Sequence, residues 1–491
     1  VSGYNVFRDT LPNVSITGVP HASTAAGTTS FGESGLTNNQ AYFYRVTAQN
    51  PKGTGTSSDE VTGFPRTPNA EVPSDPPSVA PVDGEIGRSV AISGNHAVIS
   101  LPAYDHTAST TNTGAVFFYE RDQAGGWSQV GFAEKPGVGA LFNNAQFGYS
   151  VAVSGDVALV GTPAEVHSVT SAANAGRVSI FRRQTTGTWT WERDLEEPTG
   201  AAGAQFGFSV AISGNVILIG ARTIGSLAAT GGTATTTGTV YPYEYIEGNW
   251  IAKSPIQPPG NQCTAAQCTS MQFGYSVTVS GDLAVIGAIN EKTGTALTGS
   301  AWFFRRDSGT GQWSWITAGG GKYQFATTGD VLTGSSVSIS GTWAAVGTPS
   351  GSCTSTECPT GNRTNVGGIT FFEYNGSAWV NRGKVFSPSR ATGRKFGVSV
   401  ALTPTRAVVV SVGSGTTTPH TVEACTRAGS AWSCAATPMF TAPVSGSIFL
   451  TPTPAVAVTL AVAVDGDNTL IGNAFADGAA GETFTGDFTF R

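Results

Sequence analysis

Residue types that can support catalysis are present, but their spacing fits no reaction. The histidines form no His-x-x-x-His or His-Glu motif, and the chain contains no Gly-x-Ser-x-Gly elbow, phosphate loop or dinucleotide fingerprint. The adjacent carboxylates Glu196-Glu197 and Asp59-Glu60 point apart in a strand, so they do not make a facing acid–base pair. The histidines are His21, His96, His106, His167 and His420. We therefore expect them to be loop or turn residues, and we expect no catalytic residue and no enzyme.

The six cysteines form three local pairs, which predict disulfides. An even number of cysteines with nearby partners is typical of loop disulfides in an oxidising compartment. Zinc binding is the alternative, but no histidine stands near any pair, and each pair lies in a separate loop rich in Thr and Gly. The predicted pairs are Cys263–Cys268, Cys353–Cys358 and Cys425–Cys434.

Composition favours an all-β fold and excludes several classes of partner. The 491 residues carry a net charge of −6, with 12% charged and 40% hydrophobic residues. That hydrophobic content is enough for a core, and the absence of a basic run argues against nucleic acid or an anionic membrane as partner. Glycine accounts for 64 residues, and helix formers such as Lys and Glu are few, as in turn-rich β proteins. No stretch predicts a membrane span.

A repeat of about sixty residues organises most of the chain. Phe147–Pro163 (FGYSVAVSGDVALVGTP) recurs as Phe206–Ala221 and Phe273–Ala288, and more distantly in four further copies. Each copy has one tight turn between two alternating segments. The turn positions are Gly94, Gly155, Gly214, Gly281, Gly341, Pro404 and Gly466, with successive differences of 61, 59, 67, 60, 63 and 62.

Each repeat predicts four antiparallel strands. Ser150–Val153 and Val157–Gly161 alternate on either side of the turn, a third segment begins at Gly176, and a fourth carries Trp189. Four such strands make a propeller blade, and blades bury their faces by stacking around an axis. We therefore predict a seven-bladed β-propeller over residues 84–491, with the aromatic residues in the core between blades.

The repeat resembles the FG-GAP family, which forms the propellers of integrin α-subunits and of many secreted bacterial proteins. The matching residues are Phe147-Gly148 with Gly161-Thr162-Pro163, Phe206-Gly207 with Gly220-Ala221, and Phe273-Gly274 with Gly287-Ala288. In integrins the resemblance implies Asp-rich calcium loops. The nearest approach here is Asp465-Gly466-Asp467-Asn468, a hairpin turn with too few oxygen ligands for calcium. No cofactor and no metal site are expected.

The N-terminal region predicts a second module and a linker. Residues 1–65 resemble the second half of a fibronectin type III domain, with Leu36 and Tyr42 at its tyrosine corner. The missing strands indicate either a chain cut from a longer protein, with its signal sequence upstream, or strands donated by a neighbouring subunit. Residues 66–83 form a proline-rich linker. Because the last repeat lacks its outer strand, we hypothesise that Val72–Asp83 supplies it and closes the ring.

The expected function is recognition. Long loops between the second and third strands, rich in Thr, Gly and Ser, stand where a rigid scaffold presents binding residues. These loops are Asp105–Thr113, Val166–Ala175, Thr223–Thr237 and Ser350–Val366. We expect a non-catalytic extracellular or cell-surface protein for adhesion that binds protein or glycan partners. The alternatives are a subunit of an extracellular fibre or sheath, self-assembled through the partial sandwich, and a propeller enzyme acting on polysaccharide.

Overall fold

The structure is a computed structural model, and its contacts divide the chain into two compact units. One unit consists of Val1–Val72 together with Arg121–Ser128, and the other of Pro73–Glu120 and Gln129–Phe490. The residues described are 1–28, 31, 33, 42–63, 72–73, 86–106, 112–123, 126–135, 143–229, 232–317, 319, 321–324, 331–353, 357, 363–413, 420–441, 460–466, 468–473 and 487–490.

The first unit contains one antiparallel sheet of five strands. These are β1 (Gly3–Asp9), β2 (Ala22–Ala25), β3 (Tyr42–Asn50), β4 (Gly53–Ser57) and β5 (Val61–Gly63). The order is β2-β1-β3-β4, with β5 also paired to β3. Val6, Phe7, Val14 and Tyr42 are its buried apolar side chains. The fibronectin type III-like sandwich stays a prediction, and Leu36 lies outside the described residues.

Within the described part of the second unit there are seven antiparallel sheets of four or five strands, numbered 1 to 7 along the chain, and two two-stranded hairpins. A two-residue strand, β6 (Val72–Pro73), comes before them in sequence. Sheet 1 comprises β7 (Val90–Ser93), β8 (His96–Leu101), β9 (Ala115–Arg121) and β10 (Trp127–Glu134). Sheet 2 comprises β11 (Ser150–Ser154), β12 (Val157–Thr162), β13 (Arg177–Arg183) and β14 (Trp189–Glu196).

Sheets 3 and 4 each carry an extra hairpin. Sheet 3 comprises β15 (Phe206–Ser213), β16 (Val216–Ala221), β19 (Thr239–Ile246) and β20 (Asn249–Ala252), with the hairpin β17 (Ser226–Ala229) and β18 (Gly232–Thr235). A 3₁₀ turn (Gly260–Gln262) and the short helix α1 (Ala265–Cys268) follow it. Sheet 4 comprises β21 (Phe273–Ser280), β22 (Leu283–Ala288), β25 (Ser300–Arg306), β26 (Trp313–Trp315) and β27 (Lys322–Tyr323), with the hairpin β23 (Lys292–Thr293) and β24 (Ala296–Leu297).

Sheets 5 to 7 repeat the plan. Sheet 5 comprises β28 (Val337–Ser340), β29 (Trp343–Thr348), β30 (Gly368–Tyr374) and β31 (Trp379–Val385). Sheet 6 comprises β32 (Phe396–Leu402), β33 (Arg406–Ser411), β34 (Thr421–Ala428), β35 (Ala431–Cys434) and β36 (Phe440–Thr441). Sheet 7 comprises β37 (Leu460–Asp465), β38 (Asn468–Asn473), β39 (Asp487–Phe490) and β6. These four-stranded antiparallel sheets resemble propeller blades, which confirms the predicted all-β architecture.

The predicted turn glycines join the first two strands of six sheets. In sheet 2, Ser154 lies opposite Val157, and Gly155 has φ of 55°. The other five turn glycines have φ between 55° and 58°, a left-handed conformation that glycine adopts without strain. The six are Gly94, Gly155, Gly214, Gly281, Gly341 and Gly466.

Glycines at equivalent positions of the repeat allow the backbones of neighbouring sheets to come into contact. A Cβ on Gly161 of β12 would lie 2.2 Å from the carbonyl oxygen of Gly207 in sheet 3. The hydroxyl of Ser150 donates to that same carbonyl at 2.9 Å. Equivalent serine bonds join sheets 3 to 4, 4 to 5 and 5 to 6, at 2.7, 2.7 and 2.9 Å. The sequence motif therefore encodes close packing between sheets, which only glycine permits.

A second set of hydrogen bonds connects the hairpin turns. The backbone N–H of four of the turn glycines donates to the hydroxyl of the serine that ends the first strand of the preceding sheet. The pairs are Gly155 with Ser93, Gly214 with Ser154, Gly281 with Ser213 and Gly341 with Ser280, at 3.0 to 3.2 Å. We call these the serine–glycine bonds. In sheet 6 the turn residue is Pro404, which has no N–H to donate.

Aromatic side chains fill the space between sheets. Trp189 of sheet 2 stacks on Phe118 of sheet 1, with ring centroids 5.0 Å apart. Trp432 of sheet 6 stacks on Phe371 of sheet 5 at 4.2 Å. Large buried apolar surfaces of this kind supply most of the stabilisation of a β core. Trp191 is an exception, with 45% of its surface exposed on the outer strand of sheet 2.

Sheet 7 packs against sheet 1. Asp465, at the end of β37, accepts a hydrogen bond from the backbone N–H of Gly94. A Cβ on Gly472 of β38 would lie 2.0 Å from the carbonyl oxygen of Gly87, so the glycine contact recurs here. The first strands β7, β11, β15, β21, β28, β32 and β37 thus contact one another in succession, and β37 contacts β7.

The fourth position of sheet 7 is occupied by β6, beside β39. The strand β6 is the beginning of the stretch that the sequence assigns to the latch. Residues 74–83, the rest of that stretch, lie outside the described residues. The latch hypothesis and the predicted boundaries at 65/66 and 83/84 stay predictions.

Two of the predicted disulfides are present, which confirms the pairing. Cys263–Cys268 spans α1, whose first turn is capped by Thr264, and Cys268 is fully buried. Cys425 and Cys434 lie directly opposite each other on β34 and β35, which brings their Cα atoms to 3.8 Å. Cys353 is also disulfide-bonded, and Cys358 lies outside the described residues. Within the described ranges, no helix has both the length and the apolarity needed to cross a membrane.

Candidate functional site

The two ends of each sheet differ. In sheet 2, Ser154 and Val157 meet at one end, whereas Thr162, Arg177 and Glu196 come together at the other. The first end carries the tight turns, and we call it the turn end. The second carries the connection between the second and third strands and the link to the next sheet, and we call it the loop end.

The predicted recognition loops lie at the loop end. Val166–Ala175 is held by its own backbone bonds, in which the His167 N–H donates to Ala172 at 3.0 Å and the Ser171 N–H donates to His167 at 3.1 Å. Thr223–Thr237 contains the hairpin β17–β18. Parts of Asp105–Thr113 and Ser350–Val366 lie outside the described residues. Sequence reasoning missed the hairpin β23–β24 of sheet 4, because its strands have only two residues each.

A charged cluster lies beneath the Val166–Ala175 loop. Arg177 is paired with Glu165 at 3.2 Å (Nε–Oε1), with Asp194 at 2.9 Å (Nη1–Oδ2), and with Glu196. Lys135 also pairs with Glu165, whose side chain is fully buried. Burial opposes the charge of Arg177, but these carboxylates outweigh it and raise the pKa of the guanidinium. Burial raises the pKa of the Glu165 carboxyl, against the opposing effect of Lys135 and Arg177.

Two histidines occupy equivalent repeat positions beside equivalent carboxylates. His106 and His167 are 167 − 106 = 61 residues apart. His106 Nδ1 lies 2.5 Å from Glu134 Oε2, and His167 Nε2 lies 3.5 Å from Glu196 Oε2. Sequence reasoning treated both as isolated loop residues, because each partner is on the fourth strand, almost thirty residues away. The pairs join a loop to a strand and thereby orient the loop.

The remaining histidines lie apart from these. His21 contacts Glu33 in the first unit at 2.6 Å, and His96 lies 3.8 Å from Glu120 at the turn end of sheet 1. His420 Nδ1 accepts the Gly413 N–H at 3.1 Å, and burial, with a contribution from Arg394, lowers the pKa of its imidazole.

The buried carboxylate of Glu197 connects sheets 2 and 3. The Tyr241 hydroxyl donates to Glu197 at 2.8 Å, and Glu197 further accepts the N–H groups of Thr199 at 2.9 Å and Ala201 at 3.0 Å. Burial raises the pKa of Glu197, but these hydrogen bonds outweigh it and hold the pKa below its usual value. Burial, together with the hydrogen bond to Glu197, raises the pKa of the Tyr241 hydroxyl.

A row of aromatic rings lines the start of the first strands at the loop end. Tyr149, Phe208 and Tyr275 each follow a Phe-Gly pair, and their ring centroids are 5.0 and 5.2 Å apart in succession. We call these three residues the aromatic row. Arg88, at the same repeat position in sheet 1, lies 4.4 Å from the Tyr149 ring. The first strands contact one another in sequence, so the three rings follow the same succession of strands.

Arg222 lies over this row. Its guanidinium carbon is 3.7 Å from the centroid of Phe208 and 5.7 Å from that of Tyr275. Its Nε donates to Gln205 Oε1 at 2.7 Å. Burial lowers the pKa of Arg222, and only Tyr149 and Tyr275 act in the opposite direction. Sequence reasoning did not identify Arg222, since the residue after the second strand differs in type between repeats.

Among the residues described, no group of three or more His, Cys, Asp and Glu side chains is arranged so that it could hold a metal ion. In the turn that most resembles a calcium loop in sequence, the Asp465 carboxylate accepts the Gly94 N–H, and Asp467 lies outside the described residues.

Comparison with known proteins identifies FG-GAP repeats in part of the chain. The family model described as FG-GAP repeat matches residues 189–243 and 268–304, in sheets 2 to 4, which confirms the resemblance there. No curated protein matches the chain. One solved structure, a protein from Lactobacillus plantarum, is 12% identical, covers 90% of this chain and 97% of its own, and has a TM-score of 0.39. The β-propeller domain of the Trilobed protease from Pyrococcus furiosus is 8% identical, covers 82% and 93%, and has a TM-score of 0.40.

Proposed function

We propose that the chain is a non-catalytic extracellular or cell-surface protein, in which a closed seven-bladed propeller presents loops to protein or glycan partners. The succession of contacts between the first strands, with the hydrogen bond from Gly94 to Asp465, supports the closed ring. The disulfides support an oxidising compartment outside the cytosol.

The observation that carries the proposal is the difference between the two ends of the sheets. The turn end has tight serine–glycine hairpins. The loop end has long connections, with a hairpin in sheet 3 and another in sheet 4. Recognition residues are usually found on loops that a rigid scaffold holds in place.

The loop end is also rigid at its base. Buried ion pairs at Glu165 and the carboxylate hydrogen bonds at Glu197 fix the strands from which the loops emerge. A loop that is already ordered loses less conformational entropy when it binds a partner. Val169, at the tip of its loop, has 83% of its surface exposed and offers an apolar contact.

The test is a binding screen of the full chain on arrays of glycans and extracellular proteins, followed by two variants. Val169→Glu places a charge on the loop end and should weaken binding to any array partner that uses this loop by about tenfold or more. Asn215→Asp is the matched control. It adds the same charge at the turn end, at a position where Asp156 stands in the preceding repeat.

Equal loss in both variants, or no partner on either array, would contradict recognition at the loop end. The bound partner should also keep its mass after prolonged incubation, because the proposal includes no reaction. Cleavage seen by mass spectrometry would overturn the non-catalytic assignment. Labelling of the intact source cells with a membrane-impermeant reagent should reach the protein if it is at the surface.

One feature favours a second candidate, the subunit of an extracellular fibre. The strand β2 lies at the edge of the N-terminal sheet and pairs with β1 through Gly3–Val6. An edge strand can accept a strand from another chain. Electron microscopy of native material should then show filaments with a regular subunit repeat, and monomers alone would exclude it.

A further inference from the structure

Two cationic side chains near the loop end, Arg222 and Lys395, form no ion pair with a carboxylate among the described residues, unlike other arginines of this protein. Other arginines form ion pairs with a carboxylate, as Arg183 does with Glu120 and Arg306 with Glu244. In contrast, among the described residues no carboxylate lies within salt-bridge distance of Arg222, although much of that side chain is covered by protein. Charge on a partly buried guanidinium is costly unless an anion compensates it.

A second cation has the same character. Lys395 directly precedes the Phe-Gly pair of sheet 6, so it occupies the repeat position of Gln205, the residue that Arg222 contacts. Burial alone lowers the pKa of the Lys395 ammonium, and within the described ranges no ion pair is formed by it. Arg222 and Lys395 are therefore two partly covered cations that form no ion pair among the described residues, in a protein whose net charge is −6.

Part of the aromatic row around Arg222 is accessible to solvent. Burial raises the pKa of the Tyr275 hydroxyl, with Arg222 and Arg88 both acting to lower it, so the two guanidiniums lie within electrostatic reach of one tyrosine. Phe208, the middle ring, is buried beneath Arg222, whereas Tyr149, Tyr275 and Arg222 itself keep accessible surface. A ligand can therefore reach the guanidinium and the two tyrosine rings.

We propose that Arg222 and the aromatic row form a binding site for a sugar that carries a carboxylate. A guanidinium binds a carboxylate through two parallel hydrogen bonds, and aromatic rings pack against the apolar face of a sugar ring. Tyr149 and Tyr275, on either side of the buried Phe208, supply the accessible rings. The inference deepens the proposed function, on which it rests, by naming the class of glycan.

The test measures binding of trigalacturonate to the disulfide-intact full chain by calorimetry, with the methyl ester of the same trisaccharide as the uncharged comparison. The acid should bind at least about tenfold more tightly than the ester, and added salt should weaken only the acid. Arg222→Gln should remove that preference and leave the weak binding of the ester unchanged. Arg222→Lys, which keeps the charge but loses the planar fork, should give an intermediate affinity.

Arg182→Gln is the matched control. Arg182 also lies over a tyrosine, at 4.9 Å from Tyr245, but it pairs with Glu192. Its replacement should leave trigalacturonate binding unchanged. If Arg222→Gln does not fold, Arg222→Lys supplies the second measurement and should still lower the affinity for the acid.

Equal affinity for acid and ester, or an unchanged affinity in Arg222→Gln, would overturn the inference. Binding of a short peptide through its C-terminal carboxylate, without binding of trigalacturonate, would overturn it in favour of a protein ligand. In that case, a partner whose binding is weakened by Val169→Glu would still support recognition at the loop end. Failure of the glycan inference can therefore be distinguished from failure of the proposed function.

Discussion

At the scale of single residues, the glycines that define the repeat act through the space that they leave free. Gly161 and Gly207 bring the backbones of sheets 2 and 3 so close that a methyl group has no room. A glycine at such a contact cannot be exchanged for a larger residue without moving a sheet.

Gly161→Ala should therefore lower the free energy of unfolding by about 2–4 kcal/mol, because its Cβ would meet the Gly207 carbonyl and the Ser150 hydroxyl. Urea unfolding followed by tryptophan fluorescence measures the change. Gly368→Ala is the control, since its Cβ would approach no atom closer than 3.4 Å. Equal effects in the two variants would mean that the contact is looser than described.

Glu197 predicts a pH dependence of stability. Its pKa is lowered in the folded protein, so its contribution is present above the unfolded pKa of a glutamate and is lost as the pH falls through the folded value. Glu197→Gln should cost about 1–3 kcal/mol at neutral pH, and the deficit should shrink in acid. Urea midpoints measured across the acid range test this. The exposed Glu247→Gln is the control, and a deficit that persists in acid would contradict the assignment.

At the scale of elements, the hairpin turns of sheets 2 to 5 are each bonded to the hairpin of the preceding sheet. The serine at the end of one first strand accepts the N–H of the next turn glycine, so hairpin and neighbour stabilise each other. Pro404 interrupts the series at one place. The same series of bonds therefore offers both a variant and its control.

Ser213→Ala should lower the unfolding free energy by about 1 kcal/mol, because the Gly281 N–H loses its acceptor. Ser340→Ala should have little effect, since the next turn contains Pro404 and offers no N–H. Both are measured by urea unfolding under the same conditions. A loss at Ser340 as large as that at Ser213 would exclude the hydrogen bond as the cause.

The sequence predicts the elements well where the repeat keeps residue types constant. Turn glycines, the paired strands and the tryptophans of the fourth strands follow from spacing alone, because the same physical requirement recurs in each copy. The sequence did not predict the aromatic row, because the residue type at this repeat position differs between sheets: it is Arg88 in sheet 1, Tyr149 in sheet 2 and Ser335 in sheet 5. The pairing of His167 with Glu196 was equally hidden, since it joins a loop to a distant strand.

At the scale of the whole molecule, the contact between sheets 7 and 1 differs from the others. The serine–glycine bonds link residues 60 to 68 positions apart, whereas the bond between Gly94 and Asp465 spans 371 positions. A contact between residues so distant in sequence carries a larger entropic cost.

Asp465→Ala should loosen this contact selectively. We expect faster amide hydrogen exchange in both β37 and β7, with little change in sheets 3 and 4. Mass spectrometry of exchanged peptides measures it. Asp282→Ala is the control, because Asp282 pairs with Arg306 at the turn end of sheet 4 and takes no part in closure. Uniform acceleration throughout the second unit would indicate general destabilisation instead.

The 371-residue span also dictates an order of events during synthesis. As the polypeptide emerges from the ribosome, each new sheet finds its neighbour already present, so docking proceeds stepwise with short searches. Only the junction between sheets 7 and 1 must wait until the strands of sheet 7 have emerged as well. Until then, the side of sheet 1 that sheet 7 will cover stays exposed to solvent.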